Sequence, residues 1–131
     1  MNFDWERFSV LATELARLAA LEKDPQNCEA LQRTAISRAY YSVFCLSAAW
    51  IRANFPEANL PDSGEVHRGV IDFFEWHKNP QYREIGRLLD SLRKRRNRAD
   101  YSARIQDVND VMNRTLFDAN RALNALGSLE I

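Results

Sequence analysis

Cysteine is nearly absent, and what there is does not form a pattern. Cys28 and Cys45 are the two in 131 residues. They lack the density of a disulfide scaffold and, with two histidines in the chain, the spacing of a metal site. Free thiols in a reducing cytoplasm are expected, with no metal and no cofactor. Long apolar runs are missing too. The longest, VFCLSAAWI, is far too short to span a bilayer, and the N-terminal MNFDWERF carries acids where a secretory signal would carry bases. No membrane association is expected. Net charge is also lacking, since 18 basic side chains balance 18 acidic ones, and lysine contributes only Lys23, Lys78 and Lys94. The cations are therefore mostly guanidinium forks, suited to carboxylate or phosphate. Strand-like alternation and internal repeats do not occur.

What is present is a folding chain. Hydrophobic residues make up 46% and aromatics 11%, which excludes a disordered tail, and the length suits a single domain, residues 1–131. Phe8, Leu11, Ala12, Leu15, Leu18 and Ala19 recur at helical spacing and predict a first helix from about Asn2 to Glu22. KDPQN breaks it, with Asp24 and Asn27 as turn or cap residues around Pro25. A second helix is expected from Gln26 to Asn54; its apolar residues spread around the cylinder, as in a helix surrounded by others. FPEANLPDSGE is a loop, closed by a capping-box-like Asp62-x-x-Glu65 that would open a short third helix. Asn79 followed by Pro80 starts a fourth, and a fifth runs from about Gln106 to a stop at Gly127. The fold expected is an all-α bundle of about five helices.

One segment breaks the charge balance. Arg93, Lys94, Arg95, Arg96, Arg98 and Arg104 place a third of the positive charge within twelve residues. Stepping by three and four along the fourth helix gives Ile85, Leu88, Leu89, Leu92, Arg96, Ala99 and Ala103, so Arg96 continues the apolar stripe. Lys94, Arg95 and Arg98 are directed elsewhere, either onto an ordinary solvated face or towards phosphates. An inward guanidinium needs an anion or a wet cleft, because an unpaired buried charge costs several kcal/mol. Asp100 is the nearest carboxylate in sequence. Arg38, in ISRAYYSVF, raises the same question on the second helix. Either Arg38 pairs with Asp100 or another acid and knits two helices together, or Arg38 and Arg96, with the hydroxyl of a tyrosine such as Tyr41, line a cleft for a phosphate or nucleotide. His67, at the start of the third helix, is a capping or surface residue or a further member of that cleft. His77 is expected on the surface.

ISRAYYSVFCLSAAWI, then His67 with an apolar run, then IGRLLDSLRKRRNRADY and a closing helix, together resemble the HEPN family of small prokaryotic helical domains over about residues 31 to 125. The resemblance implies an up-and-down bundle that dimerises, with the polar motif of helix four near a two-fold cleft. Many such relatives are metal-independent ribonucleases of toxin-antitoxin, antiphage or CRISPR-associated systems, and others pair with a small nucleotidyltransferase. Arg96 and Asn97 match the start of the family's catalytic Arg-to-His motif, but no His follows; Asp100 and Tyr101 close it, as in the ADY-type branch. Metal-free RNA cleavage needs a base, an acid and a cation. Arg96 supplies the cation, whereas a carboxylate is a poor acid at neutral pH.

Three functions follow as expectations. The first is an RNA- or nucleotide-binding HEPN component of a toxin-antitoxin or defence system, with ribonuclease activity not favoured. Its site residues would be Arg96 and Asp100, flanked by Arg38, Tyr41, His67, Lys94, Arg95, Asn97, Arg98 and Tyr101. The second is a non-catalytic homodimeric interaction module that docks a nucleotidyltransferase or other partner, with Arg38, Arg96 and Asp100 as an ion-pair network. The third, a metal-dependent nuclease using Asp100 with Asp107 or Asp110, lacks a clustered ligand set.

Overall fold

Two prolines mark where helices begin. Pro25 opens α2 (Pro25–Asn54), where the Asp24 carboxylate accepts from the backbone N–H of Gln26 at 2.8 Å and of Asn27 at 3.2 Å. Pro80 opens α4 (Pro80–Tyr101), where Asn79 accepts from Gln81 N–H at 2.8 Å. In each case the proline occupies a position whose N–H has no intrahelical partner, and the preceding side chain satisfies one of the free donors. The remaining helices are α1 (Arg7–Leu21), α3 (Val66–Glu75) and α5 (Val108–Gly127). The structure is a computed structural model and describes residues 2–131. Among these residues there is no strand, and no helix is long and apolar enough to cross a membrane.

α2 is the axle of the bundle. It packs against α1, α3, α4 and α5, which is why its buried residues, Ile36, Tyr40, Val43, Phe44 and Ile51 among them, face several directions. The main core joins these to Val70, Ile71 and Phe74 of α3, Tyr82, Ile85, Leu89 and Leu92 of α4, and Ala119, Ala122 and Leu126 of α5. A smaller core of Ala35, Ile36, Ala99 and Met112 lies at the other end.

Strict up-and-down alternation fails at one connection. α1 runs against α2, with Cys28 Sγ reaching Ala19 O and Arg38 lying over Phe8, and α4 also runs against α2, with Arg33 at Ser102 and Trp50 at Tyr82. α3 instead advances in the same sense as α2: His67 meets Tyr40 and Phe44, and Phe74 meets Trp50. The connection through residues 55–65, which contains a 3-10 turn at Pro56–Ala58, carries the chain back along α2 before α3 begins.

Several helix boundaries differ from expectation. α1 starts at Arg7 because the residues before it form a turn, in which Asp4 accepts from Glu6 N–H at 3.0 Å and Phe3, Trp5 and Phe8 form an aromatic cluster. No capping box forms at Asp62: the first helical residue of α3 is Val66, Ser63 Oγ accepts from Glu65 N–H, and Asp62 faces Arg52 at 3.8 Å. α5 begins at Val108, after Asp107 in the left-handed region with φ of 55°. Ala103 lies beyond α4 and is exposed.

Two contacts hold α4 in place beside the site. At Gly86 a Cβ would stand 2.6 Å from the backbone nitrogen of Glu75, so glycine alone lets the end of α3 approach this closely. At the other end, Arg33 Nη1 donates to Ala99 O at 3.1 Å and Ser102 O at 2.6 Å, and Nη2 to Ala103 O at 3.4 Å, while Nε holds Glu29 at 2.8 Å. These are free carbonyls at a helix C-terminus, where a cation also complements the helix dipole.

Candidate functional site

Arg96 is buried, with 7% of its surface exposed, as its place in the apolar stripe predicts. Its guanidinium carbon lies 5.3 Å from the ring centroids of both Tyr40 and Tyr41, which are adjacent residues on α2 and stand edge to face. The two π-faces offer partial compensation for a buried cation. Arg96 Nη1 is 3.7 Å from Asp100 Oδ2, a long ion pair, and Asp100 also accepts a 3.4 Å bond from Ser37 Oγ. The Nε of Arg96 is buried and has no protein partner.

Arg38 does not join that pair. Among the described residues it meets no carboxylate; its guanidinium sits 4.9 Å from the centroids of Phe8 and Tyr41. The knitting of α2 to α4 through Arg38 and Asp100 is therefore not what the fold uses. Tyr41 lies between the two arginines and interacts with both.

His67 is brought to the same place from the first turn of α3. Its Nδ1 lies 2.6 Å from Tyr40 Oη, and its ring stacks on Phe44 with centroids 4.2 Å apart. It is neither a helix cap nor a surface residue. Burial, reinforced by Arg93 and Arg96, pulls its pKa down from 6.5 to about 4, so the imidazole is neutral at pH 7. Burial pushes the Tyr40 phenol up against the opposing pull of the same two arginines. The phenol thus donates and Nδ1 accepts.

Arg93 belongs to this group, although the run as a whole hides it. It lies three residues before Arg96 and four after Leu89, on the same face of α4, and its charge acts on both Tyr40 and His67. Its buried Nε has no protein partner, and among the described residues Arg93 forms no salt bridge. The signal in sequence was the i, i+3 spacing to Arg96. Tyr40 and Phe44, the shared contacts of the cluster, likewise sit at i, i+4 on α2.

Other members of the basic run go elsewhere. Arg95 is not a free phosphate contact: its Nη2 is 2.8 Å from Asp118 Oδ2 on α5, with side chains 17% and 14% exposed. α4 has two packed flanks, one on α2 and α3 and one on α5, and a single stripe of hydrophobic residues revealed only the first. Lys94 is exposed and pairs with Asp90 at 3.0 Å. Asn97 and Arg98 are exposed, and Tyr101 is 79% exposed. None of these residues makes a hydrogen bond, stacking or cation–π contact to Tyr40 or His67. His77 also departs from expectation, since it stacks on Tyr82 at 3.8 Å and its Nδ1 accepts from Asn79 N–H at 3.0 Å, bracing the start of α4.

The cluster thus contains three guanidiniums, two tyrosines, a neutral imidazole and one carboxylate. Among the described residues no group of three or more His, Cys, Asp or Glu is placed to hold a metal ion. Comparison with protein-family models, with curated proteins and with solved structures gives no match.

Proposed function

We propose that the protein is an RNA- or nucleotide-binding domain of HEPN type, acting in a toxin-antitoxin or defence setting, and that phosphate is gripped by Arg38, Arg93 and Arg96. The observation that carries this reading is the charge imbalance around Tyr40 and Tyr41. Arg38 and Arg96 lie against these rings and the charge of Arg93 acts on Tyr40, while among the described residues the one long pair to Asp100 is the only carboxylate contact of the three. The Nε atoms of Arg93 and Arg96 are without protein partners, as is Nη1 of Arg95 on the other flank. Aromatic surface beside guanidinium suits single-stranded nucleic acid, which stacks its bases and pairs its phosphates. His67 joins the cluster from another helix, through Tyr40 and Phe44. With Nδ1 occupied by Tyr40 and a pKa near 4, the ring as it stands is a weak base for a 2′-hydroxyl, so metal-free cleavage is an activity to be tested and not one the site carries.

Fluorescence anisotropy with a labelled single-stranded RNA tests it. Affinity should fall steeply with salt, and Arg93→Gln should weaken binding and reduce the slope of log K against log salt by about 0.7, as loss of one phosphate contact to a single strand requires. Salt-insensitive or absent binding by folded protein refutes the reading.

A second reading is favoured by a different surface. Val10, Leu11, Leu18 and Leu21 are exposed on α1. An apolar row of this kind supports a homodimeric interaction module that docks a nucleotidyltransferase or other protein, with Arg96 and Asp100 as structural ions. Self-association in analytical ultracentrifugation, without RNA binding, would decide for it.

A further inference from the structure

His67 ties α3 to α2 through Tyr40 and Phe44, and it does so in the field of two arginines. Tyr40 Oη occupies its Nδ1 at 2.6 Å, which leaves the proton of the neutral ring on Nε2. The ring is clamped against Phe44. The charged and titratable groups around it are Tyr40 and Tyr41 from α2 and Arg93 and Arg96 from α4, and Asp100 is tied to Arg96 by the long pair and to Ser37. Arg96 is more than nine-tenths buried with Nε unpartnered, and the Nε of Arg93 is likewise buried and unpartnered. His67, Arg93 and Tyr41 are each half-buried, so the cluster has a solvent-facing side.

We propose that His67, Arg93 and Arg96 form a single oxyanion seat for a phosphoryl group, and that His67 takes up a proton as the anion binds. The proposal rests on the phosphate-binding reading above and specifies its chemistry. Burial and the two guanidiniums keep the imidazole neutral without ligand, with its pKa near 4. An anion on the arginines cancels their repulsion and gives the imidazolium a counter-ion, so binding and protonation must favour each other reciprocally. The contact to Tyr40 survives the change, because an imidazolium Nδ1–H donates to a phenol oxygen that previously donated to it. The seat takes either a phosphodiester of an RNA chain or a terminal phosphomonoester, which share this chemistry.

The two histidines of the chain make the test direct, since His77, stacked on Tyr82, is an internal reference. NMR titration of both imidazoles would be run in sulfate and in chloride at equal ionic strength; sulfate is a phosphate mimic that does not itself titrate in this range. The His67 midpoint should rise by one unit or more in sulfate while His77 stays still, equivalent to about tenfold tighter sulfate binding to the protonated form. Arg93→Gln should remove the rise, with helical circular dichroism and the His77 signal verifying its fold; should that variant misfold, Arg93→Lys serves, with a reduced rise. Short oligouridine with a 5′-hydroxyl or a 5′-phosphate then separates the two sources. A shift with both identifies the diester, and a shift confined to the phosphorylated strand identifies the monoester. RNA bound with salt dependence but an unmoved His67 overturns the seat and leaves the phosphate-binding reading intact. No binding of RNA or sulfate overturns both.

Discussion

Tyr40 Oη and His67 Nδ1 lie 2.6 Å apart, joining the middle of α2 to the first turn of α3. The bond closes one side of the arginine cluster and is the polar link at the centre of an otherwise aromatic contact with Phe44. Tyr40→Phe should therefore lower the urea midpoint by the equivalent of about 1–2 kcal/mol, part from the lost bond and part from the stranded Nδ1 acceptor. An unchanged midpoint would mean that the pair contributes nothing to stability.

The same histidine makes stability depend on pH with a defined sign. Its folded pKa, about 4, lies below its ordinary value of 6.5. Between those values the unfolded chain binds the extra proton, so the contribution to stability is present above pH 6.5 and is lost as pH falls towards 4. Chemical denaturation of wild type and His67→Gln across this window should show a shallower decline in the variant. Parallel curves would exclude His67 as the source.

Arg95 and Arg93 should separate two kinds of arginine within one run. Arg95→Gln breaks the pair with Asp118 and should destabilise the fold by about 1–3 kcal/mol while leaving the salt slope of RNA binding unchanged. For Arg93→Gln the larger effect should fall on the salt slope. Denaturation and anisotropy on the two variants would expose any exchange of these roles.

Gly86→Ala should be costly although α4 is a regular helix there. The added methyl meets the Glu75 backbone nitrogen at 2.6 Å and Cα at 3.0 Å, which no side-chain rotation relieves. Separation of α3 from α4 should cost about 1–3 kcal/mol despite alanine's better helix propensity. A thermal midpoint at or above that of the wild type would contradict this packing.

Much of the fold was legible because helices and their starts are local. The 3.6-residue period in Phe8 to Ala19 and Ile85 to Ala99, and the caps Asp24–Pro25 and Asn79–Pro80, depend on neighbours in sequence. The start of α3 was not, since the chain still turns through residues 62–65 and the helix begins at Val66 without a side-chain cap. In the site, Arg96 was visible as a charge within an apolar stripe. Arg93 and Arg95 were not distinguishable, because a run of like charges does not show on which flank of a helix another helix will lie. Arg33, which holds the end of α4, carries no local signature at all.

By itself, the amino-acid sequence determined five helices, a central α2 and an inward Arg96, because periodicity and capping are properties of short stretches of chain. Only the tertiary structure decided which charges are neutralised and which remain for a ligand. Asp118 reaches Arg95 from 23 residues away, and His67 reaches Tyr40 from 27, and such long-range encounters follow from how helices pack.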